Sequence, residues 1–175
     1  RSRIHYFYSH HHVARGELDQ ARDHLDQGIR NDPHDADVLI AMHRLPKADD
    51  EWRKRTATLV ADSAAHFLDL VQKWEFIIEQ AQSPDAREES LENLANSCNQ
   101  YAWLVANTEG DFDEAVRLSH RSIELTPKTA SYLDTLGHCY YAKRDFANAV
   151  KYQSLAARRE PHTRQIHRQL KVFQQ

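Results

Sequence analysis

Twelve histidines and two cysteines are the side chains of this 175-residue sequence that could hold a metal ion or attack a substrate. Three histidines run together as His10-His11-His12, with His5 close by. A helix brings residues i and i+4 onto one face, and no two histidines here have that spacing. His5 and His12 share a face at i, i+7, but two turns of helix is too far for one ion. Cys98 and Cys139 form no CxxC pair and stand in no His/Cys cluster of metal spacing. The spacing puts them at opposite ends of adjacent parallel helices, roughly 10 Å apart along the axis and beyond disulfide range. The acidic groups Asp49-Asp50-Glu51 and Glu88-Glu89 fall near predicted helix starts, where the backbone dipole alone favours carboxylates. There is no phosphate loop, GxGxxG, HExxH or GxSxG. The sequence therefore predicts no catalytic residue, no metal and no cofactor.

Charge is distributed unevenly. Residues 151–175 carry Lys151, Arg158, Arg159, Arg164, Arg168 and Lys171 against Glu160 alone, in a chain whose formal net charge is -3. That makes one end basic and the rest acidic. An acidic partner, RNA or the acidic end of another copy fits such an end; a nucleic-acid face would instead run as a stripe along the molecule.

Few turns are available to position any of these groups. Four glycines and five prolines among 175 residues exclude a sandwich or barrel, which needs a turn about every 8–12 residues. With 41% apolar and 28% charged residues the chain is not a disordered linker. The longest apolar run, Val38 to Met42, is far short of the ~20 residues that span a bilayer. No signal peptide opens the chain and its first residue is Arg1, so a cytoplasmic fragment of a longer protein is expected.

The organising feature is a repeat. Gly110-Asp111-Phe112-Asp113-Glu114-Ala115-Val116 aligns with Arg144-Asp145-Phe146-Ala147-Asn148-Ala149-Val150 at an offset of 34, and Pro127 and Pro161 keep the same offset. Gly16-Glu17-Leu18-Asp19-Gln20-Ala21, ending at Pro33, is a third copy, with the same twelve residues from alanine to proline. Residues 36–95 do not keep the period. Ala36 to Leu45 reads as a short helix, and Asp49 and Asp50 then cap a long one. Its seam is Thr56, Val60, Ser63, Phe67, Leu70, Trp74, Ile77 and Ala81. Ser83-Pro84 starts a third helix through Leu91, Leu94, Cys98, Tyr101, Ala102 and Val105, and the short link predicts an antiparallel hairpin roughly 35–50 Å long. The same seam could pair two copies of the chain into a homo-oligomer. Ile166, Leu170 and Phe173 share one face of a terminal helix, with Arg164, Arg168 and Lys171 on the other, as a capping helix requires.

At these residues the chain resembles the tetratricopeptide repeat (TPR) family, whose unit is a 34-residue helix–turn–helix. The last copy matches best, through Leu133, Leu136-Gly137, Tyr140, Ala149, Ala156 and Pro161. Gly137 and Ala149 let two helices approach closely, Tyr140 and Phe146 fill the groove between neighbours, and Trp103 stands where the family usually has glycine. The resemblance implies an all-α, right-handed TPR-like helical solenoid, read as a single helical-repeat domain over residues 1–175. Its parts are TPR-like repeats at 2–35, 96–129 and 130–163, an irregular long-helix insert at 36–95 carrying the extended antiparallel hairpin, and a capping helix at 164–175. It also implies a non-enzymatic scaffold or adaptor that binds a peptide or partner domain in a concave groove. The alternatives are a regulatory or targeting segment of a larger protein and an RNA-binding solenoid using the basic end. The implied groove residues are Tyr6, His10, Gln100, Tyr101, Leu104, Asp134, His138 and Tyr141. The Lys/Asn/Arg clamp with which some family members grip a C-terminal carboxylate is absent, and Asp134 would repel that group.

Overall fold

A computed structural model describes residues 1–175 as nine helices without strands: α1 (Ser2–Arg15), α2 (Leu18–Asn31), α3 (Ala36–His43), α4 (Asp50–Gln80), α5 (Pro84–Asn107), α6 (Phe112–Leu125), α7 (Ala130–Ala142), α8 (Phe146–Arg159) and α9 (Arg164–Phe173). They form two compact units, Arg1–His66 and Phe67–Gln175, with the residues of α4 divided between them.

The local signals act where the sequence puts them. Asp111 caps α6, accepting from the amides of Asp113 and Glu114, both at 3.0 Å, and Asp145 caps α8 by accepting from the amide of Asn148 at 3.2 Å. Ser83 caps α5 with Pro84 in the first turn. The turn inside each pair needs a left-handed residue, supplied by Gly16 (φ 75°) in the first copy and by Arg144 (φ 61°) at the equivalent position of the last.

In the first unit α2 buries Leu25 and Ile29 against α1 and α3. Asp35 ties the corner together, capping α3 through the amide of Val38 (3.1 Å) and accepting from the Ser2 hydroxyl at 2.5 Å. Asp49, rather than Asp50, caps α4, accepting from the Trp52 amide at 2.8 Å. The buried Trp52 indole donates to the Met42 carbonyl at 3.0 Å, and its ring lies beneath the guanidinium groups of Arg22 and Arg55.

Two expectations about residues 36–95 change in detail. The short helix α3 is in register after all. Val38, Met42 and Leu45 stand 34 residues after Ile4, Tyr8 and His11, and all three are buried. The period is lost beyond α3, because α4 is 31 residues long where the other second helices have 14. The seam of α4 buries Thr56, Val60, Ser63 and Phe67 as expected, then shifts to Val71, leaving Leu70, Trp74 and Ile77 half-buried.

In the second unit α5 pairs with α6 and α7 with α8, and α7 also lies against both α5 and α6. Arg121 of α6 pairs with Glu75 near the end of α4. The capping helix α9 buries Ile166 with Leu133, Ala156 and Ala157, and Leu170 packs on the same cluster. Ala21, Ala115 and Ala149, the alanines that define the repeat, are each 0% exposed. Phe146 departs from expectation. It begins α8 on the outside of the helix pair, where its ring meets only Tyr141, instead of filling the groove between neighbours.

Interhelical histidines are concentrated in the first unit. His24 of α2 lies against His5 (Nδ1 to Nδ1, 3.1 Å), His12 and Tyr8 of α1, with Asp23 the nearby acid. His34 stacks on His66 with ring centroids 3.8 Å apart and bonds the Ser63 hydroxyl. Burial, and then the neighbouring imidazoles, hold the pKa values of His24 and His34 below the usual histidine value.

Two outcomes follow. A base whose folded pKa is depressed stabilises the fold fully above the unfolded pKa, about 6.5, and loses that contribution as the pH falls through the folded value. Thermal unfolding followed by circular dichroism should therefore show a melting temperature that drops as the pH falls below about 6.5. A His24→Gln, His34→Gln double variant should flatten that drop. Separately, Ala149→Leu should overpack the α7–α8 pair and lower stability by roughly 1–3 kcal/mol in urea titration, whereas Ala147→Leu, on the exposed side, should change it by less than about 0.5 kcal/mol.

Candidate functional site

The second unit carries a continuous row of aromatic rings drawn from four helices. Trp103 of α5 meets His138 of α7 edge-on at 5.0 Å, and His138 meets Phe173 of α9 edge-on at 5.2 Å. Tyr141 of α7 stacks on Phe173 with centroids 4.5 Å apart and planes 15° apart, and Phe146 of α8 packs edge-on against Tyr141 at 5.4 Å. Phe173 is buried beneath the row, while Tyr141 is 39% and Phe146 51% exposed. The row thus has a fixed floor and an open end. His138 and Tyr141 share α7 one turn apart, and the terminal helix supplies the ring that holds Tyr141 in place.

Below the row lies a polar tie. Gln153 of α8 is fully buried, and its Nε2 donates to Asp134 Oδ1 at 2.5 Å and to the Ile166 carbonyl at 3.2 Å. It therefore joins α7, α8 and α9 at one point. Gly137 makes the tie possible, since a Cβ there would come within 2.7 Å of Gln153 Oε1 and 3.3 Å of its backbone nitrogen. Burial pushes the Asp134 carboxyl above the usual carboxylate range, a shift that the Gln153 hydrogen bond only partly opposes.

The expected groove residues separate into distinct environments. His138 and Tyr141 belong to the aromatic row. Gln100 is half-buried on α5. Tyr101 and Leu104 are not groove residues: both are buried. The reason is that α5 is covered on several faces, burying Leu94, Ala95, Cys98, Ala102 and Val105 around its circumference, so no open strip remains at that level. Asp134 is half-buried and engaged by its hydrogen bond from Gln153. Tyr6 and His10 lie together on α1 of the first unit, ring centroids 4.5 Å apart, in the field of Asp37 and Arg44. Sequence reasoning missed Trp103, Phe146 and Phe173 as parts of the site. Trp103 did carry a signal, an indole at the register of Gly137.

Nucleophile chemistry finds no support at the cysteines. Both thiols are free and buried, with burial pushing Cys98 up to about 11 and Cys139 up to about 12. No group of three or more His, Cys, Asp or Glu side chains has the geometry to hold a metal ion. The basic residues Arg164, Arg168 and Lys171 line, with Pro161, His162 and His167, an open depression of about 380 Å³ beside α9. No helix is long and apolar enough to cross a membrane.

The fold and this surface define an all-helical repeat protein built from stacked helix pairs. No protein-family model matches the chain. Over 65 residues, 37% of its length, it is 35% identical to a tetratricopeptide repeat protein 30 homolog of Caenorhabditis briggsae, of which it spans 9%. A thermophilic TPR protein of Thermus thermophilus aligns over 99% of this chain and 98% of its own, at 15% sequence identity and a TM-score of 0.39. Its helix pairs, recurring at an offset of 34 residues, make an all-α, TPR-like helical repeat fold.

A carboxylic acid whose folded pKa is raised weakens the fold above that pKa, and the cost disappears as the pH falls below it. Asp134→Asn keeps an acceptor for Gln153 without the charge. It should leave stability equal or increased at neutral pH, with any gain shrinking on acidification, as read by urea titrations at the two pH values.

Proposed function

We propose that the chain is a non-catalytic protein–protein interaction module and that the aromatic row of the second unit is its binding surface. The observation that supports this most directly is the exposure of Tyr141 and Phe146 beside a fixed, buried Phe173. Aromatic side chains held rigidly at a surface lose little conformational entropy on binding and offer both apolar area and a polar edge, which is why they dominate interface energetics. The half-buried His138 and Trp103 extend the row away from the open end. A peptide with aromatic or branched aliphatic side chains can lay them on Tyr141 and Phe146, with the Tyr141 hydroxyl and His138 ring as hydrogen-bonding groups. Val172, also exposed, continues the apolar surface along α9. The short resemblance to a repeat protein is compatible with such a role.

Peptide display on the purified chain, followed by titration of the selected peptides, tests the reading. Tyr141→Ala should weaken the best peptide by roughly tenfold, about 1.4 kcal/mol, and Phe146→Ala by a similar factor. Peptides that bind both variants as tightly as the parent chain would remove the aromatic row as the site. Competition by salt alone would point to the basic depression beside α9 instead.

A further inference from the structure

Two helical stripes of opposite charge in the second unit have no counter-charge within the chain. Arg164, Arg168 and Lys171 stand at i, i+4 and i+7 of α9, opposite the buried Ile166 and Phe173, and all three are exposed. The ion pairs of the chain involve none of them. Glu160, the one acid among residues 151–175, is engaged by the Thr163 hydroxyl. The stripe is a strain on its own helix. Arg164 lies in the first turn, where the backbone dipole disfavours a cation, and it repels Arg168 one turn on. The second stripe occupies the first turns of α5. Asp85, Glu88, Glu89 and Glu92 share one face at i, i+3, i+4 and i+7, and all four are exposed. None is in an ion pair, and Arg87, the only cation of α5, lies off this face. Asp85 with Glu89, and Glu88 with Glu92, are like-charge pairs one turn apart.

The stripes match in length and in step. The cations at 164, 168 and 171 are four and three residues apart. Carboxylates at 92, 88 and 85 repeat those steps with the helices antiparallel, and those at 85, 89 and 92 repeat them with the helices parallel. Each stripe is about 10 Å long at 1.5 Å per residue. We propose that the Arg164–Arg168–Lys171 face of α9 docks on the Asp85–Glu88–Glu89–Glu92 face of α5 in a second copy of the chain. The two faces differ, so the contact is heterologous and leaves one free face of each sign at the ends of an assembly. Exposed charge pairs make such a contact weak and sensitive to salt. The length of the basic stripe selects a second copy over a nucleic acid. About 10 Å of cationic surface meets only roughly three phosphates of one strand, and a net charge of -3 opposes the rest of it.

Sedimentation equilibrium of the full chain at low and high salt reads the association directly. It should weaken by roughly tenfold or more between about 0.02 M and about 0.5 M salt. Arg164→Glu with Arg168→Glu and Lys171→Glu should leave a monomer at low salt, and so should Glu88→Lys with Glu89→Lys and Glu92→Lys. Mixing the two triple variants should restore association, because each then offers the other faces of matching sign. All six side chains are exposed, so circular dichroism of both variants should keep the helical signal of the parent. A parent chain that stays monomeric at low salt overturns the proposal. So does an assembly that either triple variant leaves intact, or a mixture of the two that stays monomeric. Tyr141→Ala should associate as the parent does; loss of association there would assign it to the aromatic row instead. A uridine oligonucleotide bound by the parent but not by the α9 variant, without self-association, would assign the stripe to nucleic acid and equally overturn the proposal.

Discussion

The structure depends on how closely two helices can approach at a few small residues. Ala21, Ala115 and Ala149 are completely enclosed at the crossing of each helix pair, and in the last pair the backbone of α8 leaves no room for a side chain at Gly137, where a Cβ would stand only 3.3 Å from the Gln153 nitrogen. A larger side chain at such a crossing would separate the axes and open the interface on both sides. Once the crossing is fixed, the rest of the unit is fixed with it. The short turn, the aspartate cap and the terminal proline all lie at set distances from the alanine. The following first helix then finds a surface made of two helices rather than one, as α3 does on α1 and α2, and α7 on α5 and α6.

Because these constraints are local and periodic, they were legible in the sequence. Ser83 and Pro84 cap where their types and positions require, and each alanine-to-proline interval falls on a second helix, α2, α6 or α8. What escaped was α3. Its register follows from Ser2 to Ala36 by the same 34 residues, but it is only eight residues long and precedes a 31-residue helix that destroys the spacing downstream. Counting from proline to proline across that helix conceals a repeat that buries Val38 and Met42 in the expected manner.

Site residues were less legible for a different reason. Register tells which way a side chain points, not whether anything stands in front of it. Leu104 and His138 occupy equivalent positions, yet Leu104 is enclosed and His138 is half-open beside Trp103. Gln100 and Asp134 are likewise equivalent, but only Asp134 is captured by a buried glutamine from the next helix. Trp103 in place of the usual glycine alters the local surface more than any residue the repeat itself specifies, since it supplies the first ring of the row.

The terminal helix converts these differences into an ordered aromatic row. Without α9, Tyr141 would have no ring beneath it and Gln153 would lose the Ile166 carbonyl that shares its amide protons. The buried tie and the exposed stack therefore depend on the same helix, one holding its N-terminal half and the other its C-terminal end. A single structural element that closes the hydrophobic core with Ile166 also sets the orientation of Tyr141. Weakening the tie should then loosen the aromatic row even though no tie residue belongs to the row.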